Sequence, residues 1–369
     1  MNSKRLPFKV QLSRVLAWIL TILAGLVIAC NDKGHNPTPV KDLIYVHASQ
    51  AGVIYILDAD SLAVVDSIPD IGFHVDYVED MVVTPDGQWL FTTGEGSRTQ
   101  DNLVRKIYAF TKETVATLQT PHRGRLQLLD RGRLLRWGSY DCYNDDLELL
   151  AEVASFPAVD TRTSELCRPD GVQAGIEIAG EITDANRIRV ETVRPRTTVA
   201  EFPVKKIDGT GVSDIYEVAL HPGLDRVSAI VRGGGYWFIV IEIATGETVY
   251  QHALTLFHGE IGINSAGTVA VVTDPGRPWF GEYVGTADIV DLVNLQLLKR
   301  LYPDDFEGQN KISQIAFTSD EKSVILAPMR SWGNGTFHRI DLSSLVVTKS
   351  AFPLYEMPIG AMVLARAPE

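Results

Sequence analysis

Cysteine is scarce in this chain, three residues in 369. None lies in a CxxC pair or a Cys/His cluster, which removes zinc-ribbon and haem-attachment motifs. Helical patterning is missing as well: after residue 30 no segment carries an amphipathic 3.6-residue repeat of helical length. Catalytic signatures are absent, with no GxSxG elbow, no HExxH, no Walker loop and no GxGxxG between a strand and a helix. Gly233-Gly234-Gly235 opens a loop between strands and so forms no phosphate nest of the usual kind. Basic charge is in deficit, 34 Lys and Arg against 46 Asp and Glu. That balance excludes nucleic acid, and an anionic surface, as partners recognised through the general field of the protein.

One long apolar run exists, and it lies at the N-terminus. Lys4, Arg5, Lys9 and Arg14 precede an apolar stretch from Val15 to Ala29 that is interrupted only by Thr21 and Gly25. A basic region, a short apolar region and small residues before a cut mark a secretory signal. The run is shorter than the roughly 20 residues a spanning helix needs. It ends in Val27-Ile28-Ala29-Cys30, which resembles the bacterial lipobox, whose cysteine is acylated and becomes the first mature residue. The expected division is a signal peptide over 1–29, a lipidated tether over 30–41 and one domain over 42–369, outside the cytoplasm in the cell envelope. An uncleaved anchor or an ordinary signal is the alternative. Loss of the leader takes four basic residues and no acid, leaving a mature charge near −16. Cys142 and Cys167 then remain as an even pair in an oxidising compartment, read as a disulfide or as two buried thiols.

From Asp42 onward one unit recurs: apolar strand, tight turn, second strand, loop, third strand ending near an acid, turn, fourth strand. Its clearest first turn is Thr84-Pro85-Asp86-Gly87, where Pro fixes φ and Gly accepts φ > 0. Asp130-Arg131-Gly132, Asp184-Ala185-Asn186, His221-Pro222-Gly223, Ser265-Ala266-Gly267 and Ser319-Asp320-Glu321 are assigned the same place. Between Gly87 and Glu321 these turns recur at a mean of about 47 residues, inside the ~40–50 of a propeller blade. The later half of the unit recurs as Ile54–Ile68, Ile241–Val249, Ile289–Leu295 and Ile340–Val347, short Val/Ile-rich runs bounded by Asp, Gly and Ser. The chain enters with a second strand and leaves with a lone first strand, Ile359–Ala365. Pairing the two completes a final blade. The expectation is an all-β chain, a single monomeric propeller of about seven four-stranded blades.

Leu43-Ile44-Tyr45-Val46-His47 followed by Gly52-Val53-Ile54-Tyr55-Ile56-Leu57-Asp58 resembles the YVTN-type propeller repeat of bacterial and archaeal envelope proteins. The resemblance covers most of residues 42–366 as a pattern, and departs from it between Tyr140 and Val204. It implies the fold, and as activities worth testing a lactonase-type hydrolase or a quinoprotein-like dehydrogenase.

Two groups of residues can carry function. Arg136-Trp137, Arg232 with Trp237, Arg277 with Trp279, and Arg330 with Trp332 occupy loops after a second strand, so neighbouring blades bring them to one rim. Arg and Trp are enriched at binding hot spots, and their forks and faces grip carboxylates and stack on sugars and cations. Packing between blades is the competing role. The second group is His74, His122 and His258, each before an inner strand, with Glu79, Glu217 and Glu260 nearby. Converging at the channel mouth they would hold a divalent cation, calcium or another; solvated loop histidines are the plainer reading. The leading expectation is therefore a lipid-anchored binding or scaffold protein for a glycan, peptide or protein partner, with a channel enzyme second.

Overall fold

The computed structural model describes residues 41–48, 53–69, 78–84, 86–95, 102–120, 126–129, 133–136, 142–143, 147, 149–151, 166–167, 172–178, 186–193, 196–255, 259–274, 286–306, 312–328, 336–351 and 359–366. All of them belong to one compact unit beginning at Lys41. The described chain is all β apart from turns and one short 3-10 turn, Pro303–Phe306.

Its strands form seven four-stranded antiparallel sheets among the described residues. The first sheet contains β1 (Asp42–Ala48), β2 (Val53–Asp58) and β3 (Val64–Ile68). The second is β4 (Val78–Val83), β5 (Trp89–Glu95), β6 (Asn102–Tyr108) and β7 (Glu113–Thr120). The third is β8 (Leu126–Leu129), β9 (Arg133–Arg136), β10 (Cys142–Tyr143) and β11 (Leu149–Ala151). The fourth is β12 (Leu166–Cys167), β13 (Val172–Ile178), β14 (Asn186–Val193) and β15 (Arg196–Pro203). The fifth is β16 (Asp214–Leu220), β17 (Arg226–Arg232), β18 (Tyr236–Glu242) and β19 (Thr248–Leu254). The sixth is β20 (Ile261–Ile263), β21 (Val269–Asp274), β22 (Thr286–Asp291) and β23 (Gln296–Leu301). The seventh is β24 (Ile312–Phe317), β25 (Ser323–Pro328), β26 (Thr336–Asp341) and β27 (Val347–Ala351). The last strand, β28 (Ile359–Arg366), returns to the first sheet and pairs with β1, Asp42 opposite Arg366 and Val46 opposite Met362.

The first strand of each sheet touches the first strand of the next: β28 meets β4, then β4 meets β8, β8 meets β12, β12 meets β16, β16 meets β20, β20 meets β24, and β24 meets β28. Burial follows each strand's place in its sheet. Second and third strands are covered on both faces, so β17 and β22 are almost continuously buried; β17 reads accordingly as a near-continuous apolar run, whereas β22 buries polar residues as well. Fourth strands open to solvent, as in β3 and β23. Apolar clusters lie between sheets rather than within them. Ile54 and Tyr45 pack with Leu90 and Ile107, Phe337 and Ile325 with Ile44 and Leu57, and Phe238 and Val240 with Ala270 and Val290.

The turns share one local chemistry. After the third strand, the carboxylates of Asp58, Asp291 and Asp341 accept backbone N–H groups three residues on, from Ser61, Asn294 and Ser344. The next residue is a leucine with positive φ, at 56° for Leu62, 53° for Leu295 and 56° for Leu345. A non-glycine residue there is uncommon, and Leu62 compensates by being buried between the seventh and first sheets. The fifth sheet has Gly246 at this place. A Cβ there would stand 2.8 Å from Cβ of Phe202, which fills the space from the fourth sheet.

One assignment of a first turn needs correction. Asp184-Ala185-Asn186 joins β13 to β14, the second and third strands, because the fourth sheet begins at the two-residue β12. Every hairpin of a meander is locally equivalent, so a turn signal alone does not index its strand. His221-Pro222-Gly223 does join β16 to β17, first strand to second; the residue at positive φ there is Leu224, at 58°, and its N–H closes the turn on the carbonyl of His221 at 2.9 Å.

Candidate functional site

First turns and third-to-fourth turns lie at one end of the sheets. The opposite end carries the second-to-third loops and the links between sheets. In the fifth sheet the entering link and the second-to-third loop are described, and there the chain builds a polar group. β16 carries a bulge: Ile215 pairs with Val231 and Glu217 with Ile230, leaving Tyr216 as the extra residue. Bulges re-aim side chains. Tyr216 stacks near Tyr236 of β18, ring centroids 5.9 Å apart. Arg232, the last residue of β17, interacts with the Tyr216 phenol and stands 3.7 Å from Asp214. Burial pushes the Tyr216 phenol above its ordinary pKa, and the Asp214 carboxylate adds to the shift. The guanidinium side chain is 55 % exposed, so it remains open to an incoming acceptor.

Trp237 stands beside this group in a different setting. Its indole N–H donates to the carbonyl of Gly233 at 3.2 Å. Lys206 Nζ lies 5.2 Å from the ring centroid, and the ring packs on the cluster between the fourth and fifth sheets. Gly233-Gly234-Gly235 is short for a steric reason. Gly234 has φ 67°, and a Cβ on Gly233 would press on the Gly211 carbonyl at 3.3 Å. The triple glycine thus seats the loop against the link into its own sheet.

Arg136 ends β9 as Arg232 ends β17, so both close the second strand of their sheets. Trp137, Arg277, Trp279, Arg330 and Trp332 lie outside the described residues, as do Cys30, His74, His122 and His258. Cys142 falls in β10 and Cys167 in β12, the third strand of one sheet and the first of the next. Glu79 is the extra residue of a bulge in β4, between Val78 and Asp80. Ser313 holds the matching position in β24. Glu260 precedes β20, and its carboxylate accepts from the Gln314 amide at 3.3 Å, while the Gln314 carbonyl accepts from Met362 N–H at 3.2 Å. Those contacts tie the inner edges of the sixth, seventh and first sheets. Among the described residues no three His, Cys, Asp or Glu side chains group as metal ligands.

A second polar centre, which the sequence reading missed, is buried between the fifth and sixth sheets. Asp288 on β22 is 1 % exposed. It accepts from Arg300 Nε and Nη2, both at 2.7 Å, and contacts His252 Nε2 at 2.8 Å. Burial alone would raise its pKa, but the hydrogen bonds from Arg300 and His252 outweigh it and hold the carboxylate below its usual value. Thr255, Asp274 and Thr286 extend the polar seam upward, the two hydroxyls 3.0 Å apart. Asp288 already receives three hydrogen bonds, which suits a cross-sheet clamp. Its sequence signal was faint: an acid alternating with apolar residues in Thr286-Ala287-Asp288-Ile289, with a basic partner twelve positions on.

No family profile and no curated protein matches the chain. Solved structures do resemble it. A candidate 6-phosphogluconolactonase of Bacteroides fragilis aligns over 90% of this chain and 100% of its own at 14% identity, TM-score 0.60. A second, from Bacteroides uniformis, aligns over 88% and 99% at 11% identity, TM-score 0.59. Apo AztD of Citrobacter koseri aligns over 88% and 98% at 9% identity, TM-score 0.58. Sheets stacked around their first strands, together with these neighbours, define the class: the chain is an all-β protein of the propeller kind. At such identities the likeness extends to the fold and no further.

Proposed function

We propose that this chain is a lipid-anchored envelope protein whose propeller binds a glycan, peptide or protein partner on the face carrying the Arg and Trp loops. In this reading the seven sheets are seven blades of one ring, closed by β28 against β1. The circuit of contacts between first strands supports it, as does the resemblance to YVTN-type repeats in Leu43–His47 and Gly52–Asp58. Cys30 carries the lipid, and the propeller stands outside the cytoplasm.

The observation that carries the binding reading is Arg232, exposed yet held by Asp214 and Tyr216 beside a second tyrosine. A guanidinium fixed in orientation loses less freedom on meeting a carboxylate, and the adjacent rings offer faces for a sugar or a side chain. Repetition of Arg and Trp in the loops of the third, sixth and seventh sheets would extend that surface around the rim.

Binding of the purified chain to an array of acidic and neutral glycans and carboxylate-terminated peptides tests this. Arg232→Ala, Trp279→Ala and Trp332→Ala are each expected to weaken a hit by about thirtyfold, the scale of a 2 kcal/mol hot spot. Unchanged binding in all three removes the rim from the reading. A stoichiometric divalent ion on the purified chain, lost when His74, His122 and His258 are replaced together, would favour a channel enzyme instead.

A further inference from the structure

The described chain starts at the end of the sheets that carries the Asp turns. Asp42 accepts from Ala59 N–H through its carbonyl at 3.1 Å and from Ser319 N–H through its carboxylate at 2.7 Å. Lys41 pairs with Asp58 at 2.6 Å on the same end. From Asn31 to Lys41 there are eleven residues, which extended reach no more than about 40 Å. A chain acylated at Cys30 therefore keeps this end within that distance of its membrane.

The same end exposes large apolar side chains where a water-facing turn has no need of them. Phe110, Val293 and Val346 sit at third-to-fourth turns and are 67%, 63% and 58% exposed. Val65, Val115 and Leu298 follow close by on the fourth strands at 49%, 51% and 39%. These six belong to the sixth, seventh, first and second sheets, four consecutive members of the contact circuit, and the tether enters at the first; Val199, at the matching fourth-strand place of the fourth sheet, is 55% exposed and stands apart from this run. The fifth sheet puts Ala244, Thr245 and Gly246 at the matching turn. The charges nearby are mixed, Lys41 and Lys112 among Asp60 and Asp66, so no electrostatic attraction to anionic lipid is built in.

We infer that this sector is a lipid-docking surface: the ring rests its sixth, seventh, first and second sheets on the bilayer that holds the Cys30 acyl chains, turning the Arg/Trp face away from it. The inference rests on the lipoprotein reading above. A short tether raises the local concentration of the bilayer surface, so side chains too few to bind membranes on their own suffice once Cys30 is anchored.

Full-length acylated protein in phosphatidylethanolamine/phosphatidylglycerol vesicles containing bromine-labelled lipid tests it, with one tryptophan added at a time: Phe110→Trp, Val346→Trp and, as control, Ala244→Trp. Quenching beyond that of the parent protein is expected for the first two and not the third, unchanged between low and high salt. Flotation with the vesicles without extra quenching at Phe110→Trp and Val346→Trp overturns the docking surface and leaves the anchor intact. Extra quenching equal at all three positions overturns the leaning sector. Failure to float, with no acyl mass on Cys30, overturns the anchor and the docking together. All three positions are exposed turns, and a thermal melt matching the parent's confirms that each variant is folded.

Discussion

Replacing Asp288 by Asn tests whether the buried clamp between the fifth and sixth sheets is electrostatic. The side chain keeps its volume, so the packing of β22 is preserved and only the charge is lost. Arg300, 19 % exposed, then keeps its bond to the Ala253 carbonyl at 2.6 Å but faces a neutral amide where it had a carboxylate. Breaking a buried pair from one side costs ~3–5 kcal/mol; the partial exposure of Arg300 puts this case at the lower end, about 3 kcal/mol. In a domain this large each kcal/mol lowers Tm by about 2 °C, so a fall of roughly 6 °C is expected near neutral pH. Calorimetry at fixed scan rate measures it. The pH dependence supplies the sign. The folded pKa of Asp288 lies below its ordinary value, so its stabilisation is complete above the unfolded pKa of about 3.9 and is lost as pH falls through the folded value. The gap between parent and variant must close in acid. A Tm within about 1 °C of the parent at neutral pH, or a gap that persists at low pH, refutes the clamp.

Five further substitutions separate packing from binding. Gly246→Leu is expected to destabilise by more than about 1 kcal/mol through contact with Phe202, and Phe202→Ala in the same chain should recover part of the loss; urea titration reads both. Phe238→Ala, emptying a fully buried site between the fifth and sixth sheets, should cost about 3–5 kcal/mol by the same measurement. Trp237→Ala should lower Tm because its ring packs on the inter-sheet cluster, whereas Arg232→Ala at an exposed rim should change stability by no more than about 0.5 kcal/mol.

The legible part of this fold was its local punctuation. Asp58, Asp291 and Asp341 announce their turns because an Asp side chain can close a backbone turn by itself, and the structure finds each carboxylate doing so. Less legible was strand rank. Asp184-Ala185-Asn186 is a sound hairpin signal, yet which hairpin it closes depends on a two-residue first strand, β12, too short to carry a pattern. The candidate sites divide in the same way. Arg232 and Trp237 are found by repetition, but Asp214 and Tyr216 reach Arg232 only through the β16 bulge, which has no sequence mark. Asp288 and Arg300 face each other across the β22–β23 pair, and His252 joins them only through the stacking of the fifth sheet on the sixth.

Bulges also explain a feature of the outer strands that composition leaves obscure. Six sheets place one extra residue on the fourth strand near its start: Val65, Val115, Leu150, Val199, Val249 and Leu298. Every one is Val or Leu, at a position where an edge strand would ordinarily favour charge. A bulge breaks the regular edge against strand addition, so the side chain itself is released from that duty and is free to be apolar. The rim can therefore expose Val65, Val115 and Leu298 to a lipid surface without offering a flat strand for aggregation. The seventh sheet, whose β26–β27 register runs without a shift, has Val346 exposed at the turn instead. Inserting a residue to bulge β27 should leave docking intact, and deleting Val65 to straighten β3 should promote self-association in solution, read by light scattering against the parent protein.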